Sequence, residues 1–244
     1  MDVEIHDDPE SLARAAAATF AEVTREAAAA RGRAAVALAG GETPRRFHRL
    51  LAAEPYRECI PWTHVHLFWG DERCVPPADP RSNYGLARAD FLDRVPLPAA
   101  NRHPVPCDRE PAEAAAAYET ELRRFFGTAP PHFDLVYLGL GRDGHTASLF
   151  PGSSALRDEE RWVREVTAPD GVPVRDRVTF TPRLINAARL VVFLVTGADK
   201  AEVVRRVLEE PAQSGELPAR LIRPQPGRLR WLLDRAAASR LRTS

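Results

Sequence analysis

The sequence of 244 residues has little of several residue types, and each shortage excludes a class of protein. Acidic and basic residues are equal in number, at 34 each, so no excess of positive charge favours binding to nucleic acid or to an acidic membrane surface. No apolar run approaches the roughly 18 residues that a membrane-spanning helix needs. We therefore expect neither a nucleic-acid partner nor a membrane partner.

Cysteine is scarce, with three residues at Cys59, Cys74 and Cys107. Their separations of 15 and 33 residues form no Cys-x-x-Cys pair, so neither a cysteine zinc site nor a disulfide framework is predicted. Residues 1–10 are acidic and lack the basic and then apolar pattern of a secretory signal. These features are typical of a reducing compartment, and we expect a cytoplasmic protein.

Lysine is scarcer still, because 33 of the 34 basic residues are arginine and Lys200 is the single lysine. The count alone assigns no function to it. A compact ammonium group is nevertheless not equivalent to a planar guanidinium, so the surroundings of Lys200 become informative.

What the sequence does have is 44% hydrophobic residues, enough for a full core. Strands and helices are predicted to alternate, which favours a single α/β domain over residues 1–244, Rossmann-like, with a mostly parallel central sheet and helices on both faces. Asp8 and Pro9 are typical of a helix N-cap and first helical position. The predicted strands are 34–38, 65–69, 133–140, 177–181, 190–196, 220–222 and 230–233. The predicted helices are 9–31, 44–51, 84–92, 113–126, 200–208 and a C-terminal helix, whereas 93–111, with five prolines, is predicted to be irregular.

Four of the predicted strands end in loops of small, polar or charged residues, at 40–43, 71–73, 141–145 and 197–200. Ligands of open parallel α/β sheets bind beyond the carboxyl ends of the strands. If these four strands are parallel, the four loops meet at one pocket.

The first of these loops holds Gly40 and Gly41, before a helix for which Thr43 is the predicted N-cap and Pro44 the first residue. Glycine lets the backbone approach an anion, and the unsatisfied amides of a helix N-terminus point at it. The loop matches neither the P-loop nor G-x-G-x-x-G. On these residues alone, phosphate binding and a simple tight connection both remain open.

The second loop places Arg73 directly after Asp71 and Glu72. A neighbouring carboxylate can orient a guanidinium for bidentate contact with a phosphate. Arg73 is therefore a candidate phosphate ligand. The alternative is that it is an exposed arginine in a solvated loop and binds no ligand.

His145, in the third loop, is the strongest candidate for catalysis. It follows a near-continuous apolar run that predicts a strand buried on both faces. An imidazole titrates near neutral pH and can take a proton from water, although a histidine bonded within its own loop is the alternative. No Gly-x-Ser-x-Gly elbow is present, so a serine hydrolase is not predicted. His64 and His66 lie two residues apart but lack a third ligand, so no metal site is predicted.

Taken in order, the motifs resemble those of the 6-phosphogluconolactonase family. Such an ordered set, spread over roughly residues 36–240, is highly specific. The segments that carry the resemblance are AGGETP at 39–44, WGDERCVP at 69–76, SNY at 82–84, GLGRDGHTASLFPG at 139–152, RVTFT at 177–181, GADKA at 197–201, LPA at 217–219 and WLLD at 231–234.

The resemblance implies hydrolysis of 6-phospho-D-glucono-1,5-lactone to 6-phosphogluconate, the second step of the oxidative pentose phosphate pathway, without a metal or an organic cofactor. It implies that Arg73 and Lys200 hold the phosphate and that His145 is the base. Asp143 or a backbone carbonyl would fix the histidine tautomer, and Asp71 completes the catalytic candidates. The other candidate substrate-binding residues are Gly40, Gly41, Thr43, Ser82 and Asn83.

The sequence departs from the family pattern in the glycine loop, where Ala39 and Glu42 replace two serines. The two hydroxyls cannot contribute, and an acid beside a phosphate dianion is repulsive unless it points away. The phosphate role of this loop would then depend on its amides and on Thr43.

Two other functions remain open. Glucosamine-6-phosphate deaminase/isomerases have a similar glycine loop and a similar Gly-x-Asp-Gly-His stretch, but a glutamate follows their histidine by five residues, where this chain has Phe150. A non-catalytic sugar-phosphate sensor is the second alternative, although such regulators commonly carry a further domain, for which we identify no spare segment. The expected partner is a small sugar-phosphate lactone, and we expect a monomer.

Overall fold

Strands and helices alternate along the residues that the computed structural model describes, which are 1–127, 131–211 and 217–242. The strands are β1 (Asp2–His6), β2 (Ala34–Leu38), β3 (Val65–Trp69), β4 (Asp71–Arg73), β5 (Arg102–His103), β6 (Leu135–Leu138), β7 (Val163–Thr167), β8 (Asp176–Phe180), β9 (Leu190–Val195) and β10 (Arg228–Asp234). The helices are α1 (Pro9–Arg31), α2 (Glu42–Leu51), α3 (Tyr56–Cys59), α4 (Asn83–Ala87), α5 (Pro111–Phe126), α6 (Pro182–Asn186), α7 (Ala201–Glu209) and α8 (Arg235–Ala238).

Seven of the strands form one sheet in the order β1-β10-β9-β6-β2-β3-β5, and each neighbouring pair is parallel. The strands β9, β6, β2 and β3 are adjacent, and they are the four strands predicted to end in polar loops. The predicted α/β fold with a parallel central sheet is confirmed.

Helices cover both faces of the sheet, as the register shows. Tyr137 of β6 donates to the carbonyl of Ala16 in α1 and contacts Phe47 of α2, so these two helices lie on one face. Phe68 of β3 points to the other face, where it packs against Phe125 of α5. Buried apolar residues from both faces belong to one continuous core.

The first helix begins as its sequence predicts. Asp8 Oδ1 accepts a hydrogen bond from Ser11 N at 2.7 Å, and Ser11 Oγ accepts one from Asp8 N at 3.2 Å. This capping box satisfies two amide donors, and Pro9 at the first helical position has no amide hydrogen to satisfy.

Several segments differ from their predicted local structure. Residues 71–73 are not a loop but the strand β4, which pairs antiparallel with β8 in a second sheet of order β4-β8-β7. The predicted strand at 220–222 is instead part of a 3₁₀ turn over Pro218–Leu221. Pro218 has a fixed φ and no amide hydrogen, which suits the first position of this turn.

Among the described residues, no helix combines the length and the apolar character that crossing a bilayer requires.

His48 of α2 is a titratable residue within the core. It is 3% exposed, and neither ring nitrogen has a hydrogen-bond partner among the described residues. The ring packs against Phe47 and Phe91 at centroid distances of 4.5 and 5.0 Å. Burial lowers the pKa of His48 to about 3; the nearby Asp90 opposes this effect and Arg45 adds to it. The ring therefore packs as a neutral aromatic group.

We predict that His48→Phe reduces the acid sensitivity of the fold. The folded-state pKa of about 3 lies below the ordinary value of 6.5, so the unfolded chain takes up the proton first as the pH falls. The stability that neutral His48 contributes is present above pH 6.5 and is lost as the pH falls toward 3. Urea unfolding measures the free energy of unfolding at pH 8 and at pH 5. Its decrease between these two pH values should be about 2 kcal/mol smaller in His48→Phe than in the wild type. The exposed His64→Phe is the matched control, and equal losses in both variants would contradict the prediction.

Candidate active site

A cavity of about 390 Å³ lies beyond the carboxyl ends of β9, β6, β2 and β3, where the four predicted loops meet. Gly40, Gly41, Thr43, Asp71, Arg73, His145 and Lys200 are among the residues that line it. Seven of the ten predicted site residues therefore share one cavity wall. The other three, Asp143, Ser82 and Asn83, are not among the lining residues.

The glycine loop contributes the N-terminus of α2. Gly41 caps the helix with a φ of 94°, and no side chain bonds to its first amides. The prediction that Thr43 is the N-cap is wrong, because the helix already begins at Glu42. Thr43 Oγ1 instead lies 3.0 Å from Thr196 Oγ1, which joins this loop to the loop after β9.

Glu42 carries a negative charge, which is expected to repel an anion bound beside it. Its side chain is 86% exposed, and Oε1 pairs with Arg45 Nη1 at 3.3 Å. Glu42 lines the cavity, but its carboxylate is exposed to solvent and paired with Arg45; the amides of the helix N-terminus and the Thr43 hydroxyl are the other polar groups of this loop.

The strand β4 separates its side chains between the cavity and the core. Asp71 and Arg73 line the cavity, whereas Glu72 between them is 2% exposed. The Glu72 carboxylate accepts hydrogen bonds of 2.7, 2.7 and 2.8 Å from the backbone amides of Arg73, Asn83 and Tyr84, and one of 3.1 Å from Ser82 Oγ. Burial raises the pKa of Glu72, and the three amide donors oppose this rise.

Ser82 and Asn83, predicted to bind substrate, are 2% and 3% exposed and do not line the cavity. Asn83 Nδ2 donates to the Asp71 carbonyl at 2.9 Å and lies 3.4 Å from Asp71 Oδ1. A Cβ on Gly40 would come within 1.8 Å of Asn83 Oδ1, so the glycine loop packs directly on this side chain. In this structure the two residues support the wall of the cavity.

Asp71 is held at the cavity by two neighbours. Ser148 Oγ donates to Asp71 Oδ2 at 2.6 Å, and Asn83 lies against Oδ1. Ser148 belongs to the loop that carries His145, so Asp71 links that loop to β4.

Arg73 and Arg177 lie opposite each other in the register of β4 and β8. Arg73 Nη1 donates to the carbonyl of Arg81 at 2.6 Å, and its buried Nε has no hydrogen-bond partner in the described part of the chain. Arg177 is 7% exposed, lines the cavity and donates from Nε to the carbonyl of Val174 at 2.7 Å. Burial lowers the pKa of Arg177; Asp71 opposes this effect and Arg73 adds to it.

Arg177 is not among the predicted site residues, although it begins the RVTFT segment. The available signal was a charged residue at the start of an otherwise apolar and β-branched strand. The structure points to Arg177 more specifically, because β8 pairs with β4 and places this residue at the cavity.

The loop after β6 orients His145. Asp143 Oδ1 lies 2.6 Å from His145 Nδ1 and accepts the His145 backbone amide at 3.1 Å. The bond to His145 lowers the pKa of Asp143. An ionised carboxylate at Nδ1 requires the hydrogen on that nitrogen, which leaves the lone pair on Nε2.

Close packing determines the position of this imidazole. The Phe150 ring lies 4.8 Å from the His145 ring, between centroids, and a Cβ on Gly141 would come within 2.1 Å of His145 Nδ1. Position 141 must therefore be glycine for the Asp143–His145 pair to form.

Lys200 lies on the turn after β9. Gly197 starts this turn with a φ of 99°, and its amide donates to both carboxylate oxygens of Asp234 at 3.1 Å. Asp199 pairs with Arg142 at 2.9 Å, so within the described residues the Lys200 ammonium has no ion-pair partner. Burial lowers the pKa of Lys200, and Asp199 opposes this effect.

The site therefore combines an oriented imidazole with three cations, Arg73, Arg177 and Lys200, none of which forms an ion pair within the described part of the chain. It suits an anionic ligand held next to a general base. The same residues contain no group of three or more His, Cys, Asp or Glu side chains that could hold a metal ion.

We predict that Gly141→Ala disturbs the tautomer of His145. The added methyl group would collide with Nδ1 and displace the ring from Asp143, so the preference for a hydrogen on Nδ1 should be lost. Nitrogen-15 NMR of the imidazole should report unprotonated Nε2 in the wild type and a mixture of tautomers in the variant. Gly70→Ala is the control, because its Cβ would meet no atom closer than 3.7 Å. An unchanged tautomer in Gly141→Ala would contradict the geometry described here.

Comparisons with known proteins agree with this geometry. Residues 7–231 match the family model for glucosamine-6-phosphate isomerases/6-phosphogluconolactonase. A relative from Nostoc sp. named 6-phosphogluconolactonase is 46% identical over 214 residues, which cover 86% of this chain and 85% of the relative. The solved structure of 6-phosphogluconolactonase from Trypanosoma brucei superposes with a TM-score of 0.88 and 32% identity, over 99% of this chain and 98% of that one.

A monomeric glucosamine-6-phosphate deaminase shares the fold, with a TM-score of 0.82 over 98% of this chain and all of that one, at 24% identity. The family match covers nearly the whole chain, and the more similar relatives carry the lactonase name. The chain belongs to the glucosamine-6-phosphate isomerase/6-phosphogluconolactonase family.

Proposed function

We propose that this protein hydrolyses 6-phospho-D-glucono-1,5-lactone to 6-phospho-D-gluconate, a step of the oxidative pentose phosphate pathway. The observation that carries the proposal is the His145–Asp143 pair at a cavity lined by three cations that form no ion pair with any described residue. The names of the relatives at 46% and 45% identity support the same activity.

In the proposed mechanism, His145 Nε2 takes a proton from a water molecule that attacks C1 of the lactone. The attack forms a tetrahedral oxyanion. Its collapse breaks the bond between C1 and the ring oxygen, and the imidazolium returns the proton to that oxygen. Asp143 holds the tautomer that leaves Nε2 unprotonated and stabilises the transient imidazolium. A lactone is an activated ester, so this route needs no covalent nucleophile.

Phosphate binding in the proposed mechanism uses Arg73, Lys200 and the amides at the start of α2. A helix N-terminus and charged donors together suit a phosphate dianion. Thr43 helps to fix the glycine loop through Thr196. Arg177 adds positive charge from the β8 side of the cavity, and Asp71 keeps this side attached to the His145 loop through Ser148. Binding the remote phosphate holds C1 in place against the attacking water.

The activity test uses initial rates with freshly generated 6-phosphogluconolactone, since this lactone also hydrolyses spontaneously. We predict that His145→Ala lowers kcat by about 10² to 10⁴, the usual contribution of general-base catalysis, with a smaller effect on KM. His132→Ala is the matched control, because His132 is exposed and bonds to the Ala187 carbonyl. Wild-type kcat in His145→Ala would remove the imidazole from the mechanism.

We predict that Lys200→Ala raises KM for the phosphorylated lactone by about tenfold or more, because a hydrogen bond to a charged group contributes roughly 1.5–3 kcal/mol. Unphosphorylated gluconolactone is the control substrate and should lose little efficiency. Lys200→Arg should recover part of the affinity, since it restores the charge but not the compact ammonium. An equal loss with both substrates would contradict a phosphate-binding role.

The isomerase alternative depends on an acid that this chain lacks at position 150. Phe150 packs against the His145 ring there and has no proton to donate. Release of ammonia from glucosamine 6-phosphate would favour the deaminase function, and tight lactone binding without turnover would favour a sensor.

A further inference from the structure

The segment Leu217-Pro218-Ala219 lies against the loop that carries His145, although it is far from His145 in sequence. Ala219 N donates a hydrogen bond to the Gly144 carbonyl at 3.0 Å. A Cβ on Gly144 would come within 2.6 Å of Leu217 Cδ2 and 3.2 Å of Leu217 Cβ, so the leucine side chain lies directly on this glycine. The residue before the proposed base is therefore held by one hydrogen bond and one apolar contact.

Gly144 belongs to the tight turn that brings Asp143 and His145 together. Gly144 N donates to the Gly141 carbonyl at 3.0 Å, and Gly141 N donates to the His145 carbonyl at 2.8 Å. Asp143 and His145 flank Gly144 in sequence, with Asp143 Oδ1 2.6 Å from His145 Nδ1. A displacement of Gly144 therefore changes the geometry of this pair.

The Leu217 side chain is buried outside the main core and outside the cavity. It is 4% exposed, but the continuous apolar core of the described residues does not include it. The residues that line the cavity do not include it either, so Leu217 is not placed to touch a bound substrate. Its packing on Gly144 is thus an interaction with the His145 loop rather than with the core or with a ligand.

The chain offers an internal comparison, because the same tripeptide occurs at Leu97-Pro98-Ala99. Each copy precedes or begins a short 3₁₀ turn, over Ala99–Asn101 in one case and Pro218–Leu221 in the other. Leu97 is also 4% exposed, but it belongs to the core. The two leucines therefore share their sequence context and burial, and they differ in what they pack against.

We propose that Leu217 is a positioning residue for the hydrolysis, because its side chain fixes Gly144 and thereby the Asp143–His145 pair. The inference rests on the proposed function, in which His145 Nε2 takes the proton from water. Truncation in Leu217→Ala leaves space beside Gly144 into which the loop can move. The imidazole then leaves the orientation in which Asp143 holds the Nδ1 hydrogen, and small misplacements of a catalytic group are costly in rate.

The experiment compares Leu217→Ala with Leu97→Ala and with Leu217→Met, which keeps a side chain of similar volume. With freshly generated 6-phosphogluconolactone, we expect Leu217→Ala to lower kcat by about tenfold or more and to leave KM within about twofold of the wild type. Nitrogen-15 NMR of the imidazole should show a mixture of His145 tautomers in this variant. Leu97→Ala and Leu217→Met should keep the wild-type tautomer and nearly the wild-type kcat.

Urea unfolding of the same variants separates positioning from loss of stability. Leu97→Ala, which truncates a core leucine, should lose at least as much stability as Leu217→Ala. If Leu217→Ala does not fold, Leu217→Val takes its place with the same expected directions.

Each contrary result overturns the positioning role. Equal losses of kcat in Leu217→Ala and Leu97→Ala would assign the effect to general destabilisation. A wild-type tautomer in Leu217→Ala, or a raised KM with unchanged kcat, would show that the leucine does not act through the imidazole. Equal impairment of Leu217→Met and Leu217→Ala would contradict the packing argument. If the wild type does not hydrolyse the lactone, the proposed function fails, and the NMR comparison still decides whether Leu217 positions His145.

Discussion

The parallel alignment of β9, β6, β2 and β3 is the constraint on which the rest of the site depends. Each of these strands ends at the same edge of the sheet, so the four loops after them meet although they are separated by up to about 160 residues in sequence. The apolar sequence of the strands makes them suitable for burial under helices on both faces. The loops can then carry the polar side chains of the site, and the apolar core is little affected.

A parallel sheet alone does not orient the side chains of its loops, and here a second layer of buried carboxylates does so. Glu72 joins β4 to the start of α4, Asp71 joins β4 to the His145 loop, and Asp234 holds the turn of Lys200. Within the described residues, each of these carboxylates accepts amides or hydroxyls and none forms an ion pair. The cations of the cavity therefore keep their charge available for a ligand.

Residue patterns predicted much of this arrangement and missed parts of it for physical reasons. Val65–Trp69 was predicted with its observed bounds because a buried strand has a continuous apolar sequence. The edge strand β1 was missed because Val3 and Ile5 are its exposed residues, and the strand depends on backbone pairing with β10 and on the ion pair of Glu4 with Arg230. Ser82 and Asn83 belong to a motif, but this does not show whether they bind a ligand or support the cavity wall. Both roles need polar residues near the cavity.

The distribution of positive charge connects the unusual composition to the site. Arginine serves mainly in ion pairs with acidic residues, such as Arg45 with Asp90 and Arg142 with Asp199. The cavity departs from this use, because Arg73, Arg177 and Lys200 line it without an ion-pair partner in the described residues. Asp199 pairs with Arg142 rather than with Lys200, although its charge still opposes the effect of burial on the pKa of Lys200. Burial makes the ammonium costly unless an anion binds. We propose that the phosphate of the lactone stabilises this half-buried cation at the mouth of the parallel sheet.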